Sequence, residues 1–362
     1  MLNFEDKEWK PFRIYYIFSH QRGKRQIEAN RKKGNIPYYS ASQTNNGLTD
    51  FISNPTFKIN TNAIIYSTFG DAYYTEKDFS TSDEITILTN SKLNKFNGLF
   101  ISKSINQNKS KYSFGRKAFS NKIDKDKIIL PINENKEPDY NYMEEYSKSI
   151  IDSKTKKYRQ YAQKVLNSIK YKNIETLENK DWKEFFLIDI FTTIQRGKRL
   201  TKQNQTKGNI PYISSTSLNN GVDNFIGNKT DVRIFSDCLT IANSGSVGAS
   251  FYQPYNFVGS DHITHLKKEN MNKYVYIFIS TLTNRFSEKY NFNREINDKR
   301  ISREKIMLPI NDRKEPDFEY MEQYMKNLTY KKVNQYLSFI NYDNLKLSLV
   351  YFIQRLINLI LV

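Results

Sequence analysis

Between Trp9 and about Pro131 the apolar residues fall in short runs, among them Ala63-Ile64-Ile65-Tyr66 and Glu84-Ile85-Thr86-Ile87-Leu88, punctuated by Gly, Asn, Ser and Pro. Runs of this kind predict strands joined by turns, with fewer helices, and each half reads as a mixed α/β domain containing a curved sheet. Asn46-Gly47 and Asn220-Gly221 are the strongest turn signals, because both residue types tolerate positive φ. Pro37 and Pro211 are expected to start a turn after an extended segment. At Pro138-Asp139 the pattern changes: Gly and Pro vanish up to Ser168, and the chain becomes rich in Lys, Glu, Ser and Gln. A helix is predicted from about Asp139 to Ile169, with the Asp139 carboxylate capping its first amides and favoured by the helix dipole. Tyr158, Tyr161, Ala162 and Val165, continued by Leu166 and Ile169, form one apolar stripe. A second helix, from about Asp317 to Ile340, carries Met321, Tyr324, Met325 and Leu328, then Val333, Tyr336, Leu337 and Ile340. Some 30 helical residues extend about 45 Å, more than one domain needs. The two stripes are therefore expected to pack as an antiparallel pair that holds two domains apart. The competing expectation is that each helix folds back on its own sheet. Asn341-Tyr342-Asp343-Asn344 should interrupt the second helix, leaving the apolar stretch Leu345–Val362 as a closing helix or a partner surface.

The pattern occurs twice because the chain is a duplication. Arg22-Gly23-Lys24-Arg25, Gly34-Asn35-Ile36-Pro37-Tyr38 and Asn45-Asn46-Gly47 return 174 residues later as Arg196-Gly197-Lys198-Arg199, Gly208-Asn209-Ile210-Pro211-Tyr212 and Asn219-Asn220-Gly221. Trp9-Lys10 answers Trp182-Lys183, and Leu130-Pro131-Ile132-Asn133 with Glu137-Pro138-Asp139 answers Leu308-Pro309-Ile310-Asn311 with Glu315-Pro316-Asp317. A repeat this long is a duplicated domain, since solenoid repeats run only about 20 to 50 residues. The division expected is a first domain over 1–138, a helix over 139–178, a second domain over 179–316 and a helix with its tail over 317–362.

Charge narrows the function. The 362 residues carry 56 Lys+Arg against 38 Asp+Glu, a net +18, which fits a polyanionic partner. The one cysteine, Cys238, excludes an internal disulfide and any site with several thiolate ligands, so a reducing compartment, the cytoplasm, is expected. The N-terminus carries acids and no apolar core of signal-peptide length, and charged and polar residues interrupt Leu345–Val362, so no membrane segment is expected.

The basic residues are clustered. Arg22, Lys24 and Arg25 recur as Arg196, Lys198 and Arg199, and Gly115-Arg116-Lys117 has its counterpart in Asn293-Arg294. Guanidinium groups and backbone amides converging around a glycine suit phosphate contact. Asn45, Asn46, Ser67, Asn219, Asn220, Asn243 and Ser244 lie on predicted loops and are candidates to reach base edges, where amides pair bidentately with adenine. Ser67-Thr68-Phe69 set against Asn243-Ser244-Gly245 would read different sequences. Asn35-Ile36-Pro37-Tyr38 approximates the Asn-Pro-Pro-Tyr tetrad of amino-methyltransferases, but isoleucine replaces the first proline and no glycine-rich strand-turn-helix for S-adenosylmethionine precedes it. No catalytic constellation, metal cluster or phosphate-binding loop for nucleotides emerges.

The ordered motifs, repeated twice with a helix after each copy, resemble the specificity (S) subunit of type I restriction-modification systems over nearly the whole chain. The resemblance implies two target recognition domains, each reading one half of a bipartite site in double-stranded DNA, with the paired helices as a ruler. It further implies that the chain has no catalytic or metal residues of its own. Two methyltransferase (M) subunits would bind S-adenosylmethionine and methylate adenine N6, and endonuclease/translocase (R) subunits would cleave unmodified DNA. Two readings compete with it: an amino-methyltransferase using Asn35 to Tyr38 and Asn209 to Tyr212, and a stand-alone bivalent nucleic-acid-binding protein.

Overall fold

Each half of the chain begins and ends on the same two-stranded antiparallel ladder. In the computed structural model, which describes Glu5, residues 7–291 and residues 293–343, the first half comprises β1 (Trp9–Arg13), α1 (Ile14–Ile17), β2 (Ser19–Arg22), β3 (Lys33–Tyr39), β4 (Leu48–Ile52), β5 (Ala63–Ser67), β6 (Ala72–Thr75), β7 (Ser80–Thr81), β8 (Ile85–Thr89), α2 (Lys95–Asn106), α3 (Ser120–Ile123) and β9 (Lys127–Pro131), followed by α4 (Tyr140–Ser168). Strand β1 pairs antiparallel with β9 from Trp9 opposite Pro131 to Arg13 opposite Lys127, which closes the domain with its own two ends. Two further sheets have the orders β2-β8-β5-β6 and β4-β3-β7. The expected curved sheet is thus three small sheets.

The unbroken apolar run of β5 follows from its place between two layers. Side chains alternate faces along a strand. Ile64 and Tyr66 join a core with α2 residues Ile101 and Ile105, with Leu88 of β8 and with Leu130 of β9. Ala63 and Ile65 join a second core with Tyr39 of β3, Leu48 of β4 and Phe79.

The second unit repeats the plan with β10 (Trp182–Phe186), α5 (Leu187–Ile190), β11 (Thr193–Arg196), β12 (Lys207–Ile213), β13 (Val222–Ile226), β14 (Ile234–Phe235), β15 (Cys238–Ala242), β16 (Ser250–Gln253), β17 (Phe257–Gly259), β18 (Ile263–Lys267), α6 (Lys273–Thr283), α7 (Asp298–Ile301), β19 (Lys305–Pro309) and α8 (Phe318–Asp343). Strands β10 and β19 close it, and the two larger sheets run β11-β18-β15-β16 and β13-β12-β17-β14.

Both predicted long helices are present; the first is capped by Asp139 as expected, and Asp317 caps the second in the same way. The Tyr142 amide donates to Asp139 Oδ1 at 3.0 Å and the Tyr320 amide to Asp317 Oδ1 at 2.9 Å. Each capping carboxylate also receives a lysine from just ahead of its domain, Lys7 to Asp139 at 2.7 Å and Lys180 to Asp317 at 2.9 Å. The first turns of each helix belong to their own domain: Met143 lies in the core with α2, and Met321 and Met325 in the core with α6. Between α4 and β10 the chain runs back along α8. Asn327 holds the Lys172 peptide from both sides, accepting its N–H at 3.0 Å and donating to its carbonyl at 2.7 Å. The Tyr320 hydroxyl donates to the Glu175 carbonyl at 3.0 Å.

Helix α8 continues through Asn341 to Asp343, where an interruption was expected. Asn and Asp cost a helix only a few tenths of a kcal/mol each relative to alanine, about what packing elsewhere along a long helix readily offsets. Asn344 and the apolar stretch Leu345–Val362 lie outside the described residues. The described chain divides into two compact units within α4, one ending at Gln160 and the other beginning at Tyr161, inside the segment expected to be a spacer.

Candidate nucleic-acid interface

The repeated Arg-Gly-Lys stretch follows the edge strands β2 and β11, and its glycine is a packing residue. A methyl group at Gly23 would overlap the Ser82 carbonyl oxygen and Thr81 Oγ1, and one at Gly197 would overlap the Ser260 and Gly259 carbonyl oxygens. The amides are also committed: Gly23 N–H donates to Ile85 O at 3.0 Å and Lys24 N–H to Thr81 O at 3.3 Å, and Gly197 and Lys198 repeat the pair with Ile263 and Gly259. The expectation that these amides converge on a phosphate is therefore corrected, because the sheet consumes them. What remains for a phosphate is the side chains. Lys24 and Arg25 are exposed, as are Lys198 and Arg199. Arg22 is steered by a bond from Nε to the Asp83 carbonyl at 2.7 Å and lies over the Phe119 ring. Arg196 is half-buried, 4.0 Å from Asp298, and Lys198 is 3.3 Å from Asp231.

The asparagine turns come out as expected. Asn45, Asn46 and Gly47 have φ of 49°, 53° and 82°, and Asn219, Asn220 and Gly221 repeat them at 47°, 52° and 83°. Two successive left-handed asparagines followed by glycine tighten the connection from β3 to β4, and from β12 to β13, and leave Asn45 and Asn219 exposed at the tip. Asn46 and Asn220 are half-buried.

Three candidates are not open to a base. Ser67 ends β5, is buried, and accepts the Phe69 and Asp71 amides at 3.3 and 3.1 Å. Asn243 is fully buried and accepts the Thr264 hydroxyl at 3.0 Å, while the buried Ser244 hydroxyl lies 2.7 Å from His262 Nδ1. Ser67 braces its own hairpin, and Asn243 and Ser244 fasten theirs to Thr264 of β18 and to His262 just before it, roles for a small polar side chain that loop propensity alone does not distinguish from exposure. The ladders also shift the expected correspondence by one residue. Thr68 N–H donates to Glu84 O and Asn243 N–H to His262 O, and Ala118 and Ile296 return bonds to the carbonyls of Thr68 and Asn243, so Thr68 matches Asn243 and Phe69 matches Ser244. The hairpin between β5 and β6 spans residues 68–71, whereas that between β15 and β16 spans 243–249. The second hairpin is thus three residues longer than the first.

Arg116 closes a tight turn with Ser113, matched by Arg294 with Asn291. Arg116 is exposed, and Arg294 is exposed with its guanidinium 5.4 Å from the Tyr290 ring centroid. Lys117 reaches Glu84 at 3.0 Å and lies over the Phe69 and Phe114 rings. Behind the turn stands an anchor that motif reading missed. The Tyr112 hydroxyl donates to the buried Asp126 carboxylate at 2.6 Å, and Lys111 lies 3.5 Å from the same group. In the second unit Tyr290 and Lys289 hold Glu304 in the same way. Burial and the bond to the neighbouring carboxylate push the Tyr112 and Tyr290 hydroxyls well above their ordinary range, so both stay protonated donors. The recurrence of Tyr112 and Asp126 as Tyr290 and Glu304 was the available signal.

The Asn-Ile-Pro-Tyr segments lie inside β3 and β12. Pro37 pairs with Phe51 and Pro211 with Phe225, in strand rather than at the start of a turn, beside a register shift that relieves the missing N–H. Tyr38 and Tyr212 are buried and donate to the carbonyls of Gln26 and Leu200 at 3.3 and 3.2 Å, so they present no aromatic face to a flipped base. His265 lies in β18 against Phe235, and burial lowers its pKa. Among the described residues no group of three or more His, Cys, Asp or Glu could hold a metal ion, and no helix is long and apolar enough to cross a membrane.

Known proteins share this plan. The specificity subunit S.BcgI of a type II restriction enzyme from Heyndrickxia coagulans is 30% identical over 315 residues, 85% of this chain and 90% of its own. S.MpnORF507P of Mycoplasma pneumoniae, described as a type I specificity subunit, is 24% identical over 271 residues, 69% of this chain and 70% of its own. The crystal structure of a type I restriction-modification S subunit from M. genitalium superposes with a TM-score of 0.51 at 16% identity, covering 94% of each chain, and so shares the fold. The model of the type I restriction modification DNA specificity domain matches twice, over residues 6–160 and 179–337, and the chain belongs to that family.

Proposed function

We propose that the chain is the non-catalytic specificity subunit of a restriction-modification complex and reads a two-part site in double-stranded DNA, one half with each unit. The observation that carries this reading is the recurrence, on an otherwise divergent pair of domains, of exposed cations in the same places: Lys24 and Arg25 with Lys198 and Arg199, and Arg116 with Arg294. Cations at the ends of a rigid ladder fix position on a phosphate backbone, and the asparagine turns and the variable hairpin beside them supply base readout. Helices α4 and α8 pair as an antiparallel coiled coil in this reading and set the distance between the half-sites. Catalysis comes from partners: two methyltransferase subunits that bind S-adenosylmethionine and methylate adenine N6, and endonuclease/translocase subunits that act on unmodified DNA, all in the cytoplasm. The buried positions of Tyr38 and Tyr212 speak against the competing methyltransferase reading.

Selection of bound duplexes from a random library, with the chain alone and with its co-purifying partners, tests the reading. The expected result is two short conserved blocks separated by a fixed gap, with Asn45→Ala and Asn46→Ala relaxing one block only. A single contiguous motif, or methyl transfer by the isolated chain that Asn35→Ala abolishes, overturns it.

A further inference from the structure

Phe114 is the most exposed large apolar side chain described, at 84%, and it occupies the tip of a turn that is held rigidly from three sides. Ser113 and Arg116 bridge its base. Tyr112, which precedes Ser113, is bonded to the buried Asp126 carboxylate, and the Ala118 amide, two residues past Arg116, donates to the Thr68 carbonyl at 2.8 Å. The tip itself has room, since a methyl group at Gly115 would meet nothing within 4 Å. A phenylalanine left in water on an anchored turn is already paid for in chain entropy, so binding gains its burial at little ordering cost.

Its neighbours decide what would cover it. Lys117 Nζ lies 5.6 Å from the Phe114 ring centroid and 5.4 Å from that of Phe69, and pairs with Glu84. Glu84 adjoins Asp83, whose carbonyl orients Arg22, and the Arg22 guanidinium lies 4.8 Å from the Phe119 ring centroid. Phe114 is therefore tied through Lys117 and Glu84 to the segment that carries Asp83, on which Arg22 of the first basic cluster rests. A protein partner would favour an apolar surround, whereas an aromatic tip flanked by Arg116 and Lys117 matches the base stack and phosphates of a nucleic acid. The sequence repeats the feature as Asn291-Phe292-Asn293-Arg294, with the bridge between Asn291 and Arg294 in place; Phe292 itself lies outside the described residues.

We infer that Phe114 is a wedge that enters a base step of the DNA half-site read by the first unit, partly unstacking it while Arg116 and Lys117 hold the flanking phosphates. This rests on the DNA-recognition reading above. A wedge selects sequence through the ease of unstacking, so flexible pyrimidine–purine steps are favoured at that position without any hydrogen bond to a base.

The test uses the full-length chain and duplexes of its selected site carrying 2-aminopurine at each position of one half-site in turn. Binding of the unaltered chain should raise the fluorescence at one step. Phe114→Ala should abolish that rise and weaken binding about 5- to 150-fold, the usual range for losing an aromatic–base stack, with an unchanged salt slope. Phe114→Trp should restore both. Because the side chain is exposed, thermal melting should be unaltered in both variants. Tight, sequence-specific binding by Phe114→Ala with the fluorescence rise intact overturns the wedge and leaves the DNA reading standing. Normal DNA binding by Phe114→Ala with loss of methyltransferase co-purification would assign the tip to a protein partner instead. Failure of the unaltered chain to bind any duplex overturns both.

Discussion

Lys24→Ala combined with Arg25→Ala separates phosphate anchoring from base reading more cleanly than any change at Arg22. Arg22 is bonded to the Asp83 carbonyl and stacked on Phe119, so its removal disturbs the turn before β8 as well as the charge. Lys24 and Arg25 are both exposed, and what Lys24 gives the fold is its backbone amide, bonded to the Thr81 carbonyl. Each phosphate contact contributes about 0.9 to the log–log dependence of affinity on salt, so losing two should flatten the slope by about 1.8. If that contribution vanishes near 1 M salt, the loss is about 60-fold at 0.1 M and about 20-fold at 0.2 M. Fluorescence anisotropy titrations at four or five salt concentrations, on the cognate duplex and on one with a scrambled half-site, give both slopes. The ratio of the two affinities should be preserved, because phosphate contacts carry no base information. An unchanged slope with a collapsed ratio would refute the reasoning: the cluster would then be reading bases.

Gly23→Ala should lower stability by about 1 to 3 kcal/mol through overlap with Ser82 and Thr81, whereas Gly115→Ala should stay within about 0.5 kcal/mol; thermal melting of the two variants checks the contrast. At Asp139, burial pushes the carboxyl pKa up, but the bonds from Lys7 and from the Tyr142 and Asn141 amides outweigh it and the net shift is down. Its stabilisation is therefore complete above the ordinary carboxylate range and is lost as pH falls through the depressed value, so Lys7→Met should shrink the drop in melting temperature between pH 6 and pH 3. Inserting one heptad into each of α4 and α8 should move the preferred gap between half-sites by roughly 3 base pairs, since seven residues add about 10 Å of helix; library selection returning an unaltered gap with unaltered affinity would show that the helices do not measure distance.

The duplication and the long helices were legible because they rest on local signals: identical motifs at constant separation, absence of breakers, and an acid at the cap. The asparagine turns were legible for the same reason, since left-handed φ is written into Asn-Asn-Gly itself. What was not legible depends on neighbours far away in the chain. Ser67, Asn243 and Ser244 look like loop residues until Ser67 is seen paired with Ile85 of β8 and the other two bonded to His262 and Thr264, and the proline of Asn-Ile-Pro-Tyr looks like a turn former until the bulge beside it is seen. The Tyr112 and Asp126 pair spans a segment whose return only the closed fold reveals.

The two units share their anchors and differ in what those anchors present. The lysine on the helix cap, the close-packed glycine after the edge strand and the tyrosine–carboxylate pair behind the turn are the same chemistry twice, and each is committed to the fold. At the presenting positions the copies diverge. The hairpin after β5 holds residues 68–71 against 243–249 after β15, Phe69 becomes Ser244, and Lys117, which precedes Ala118 as Glu295 precedes Ile296, changes sign. A cation beside a phosphate attracts and a carboxylate repels, so in the proposed reading the second unit would meet a DNA backbone differently at that position from the first. If each unit reads one half-site as proposed, shared anchors with unlike tips predict half-sites that differ in sequence, and a palindromic pair of blocks from library selection would contradict that prediction.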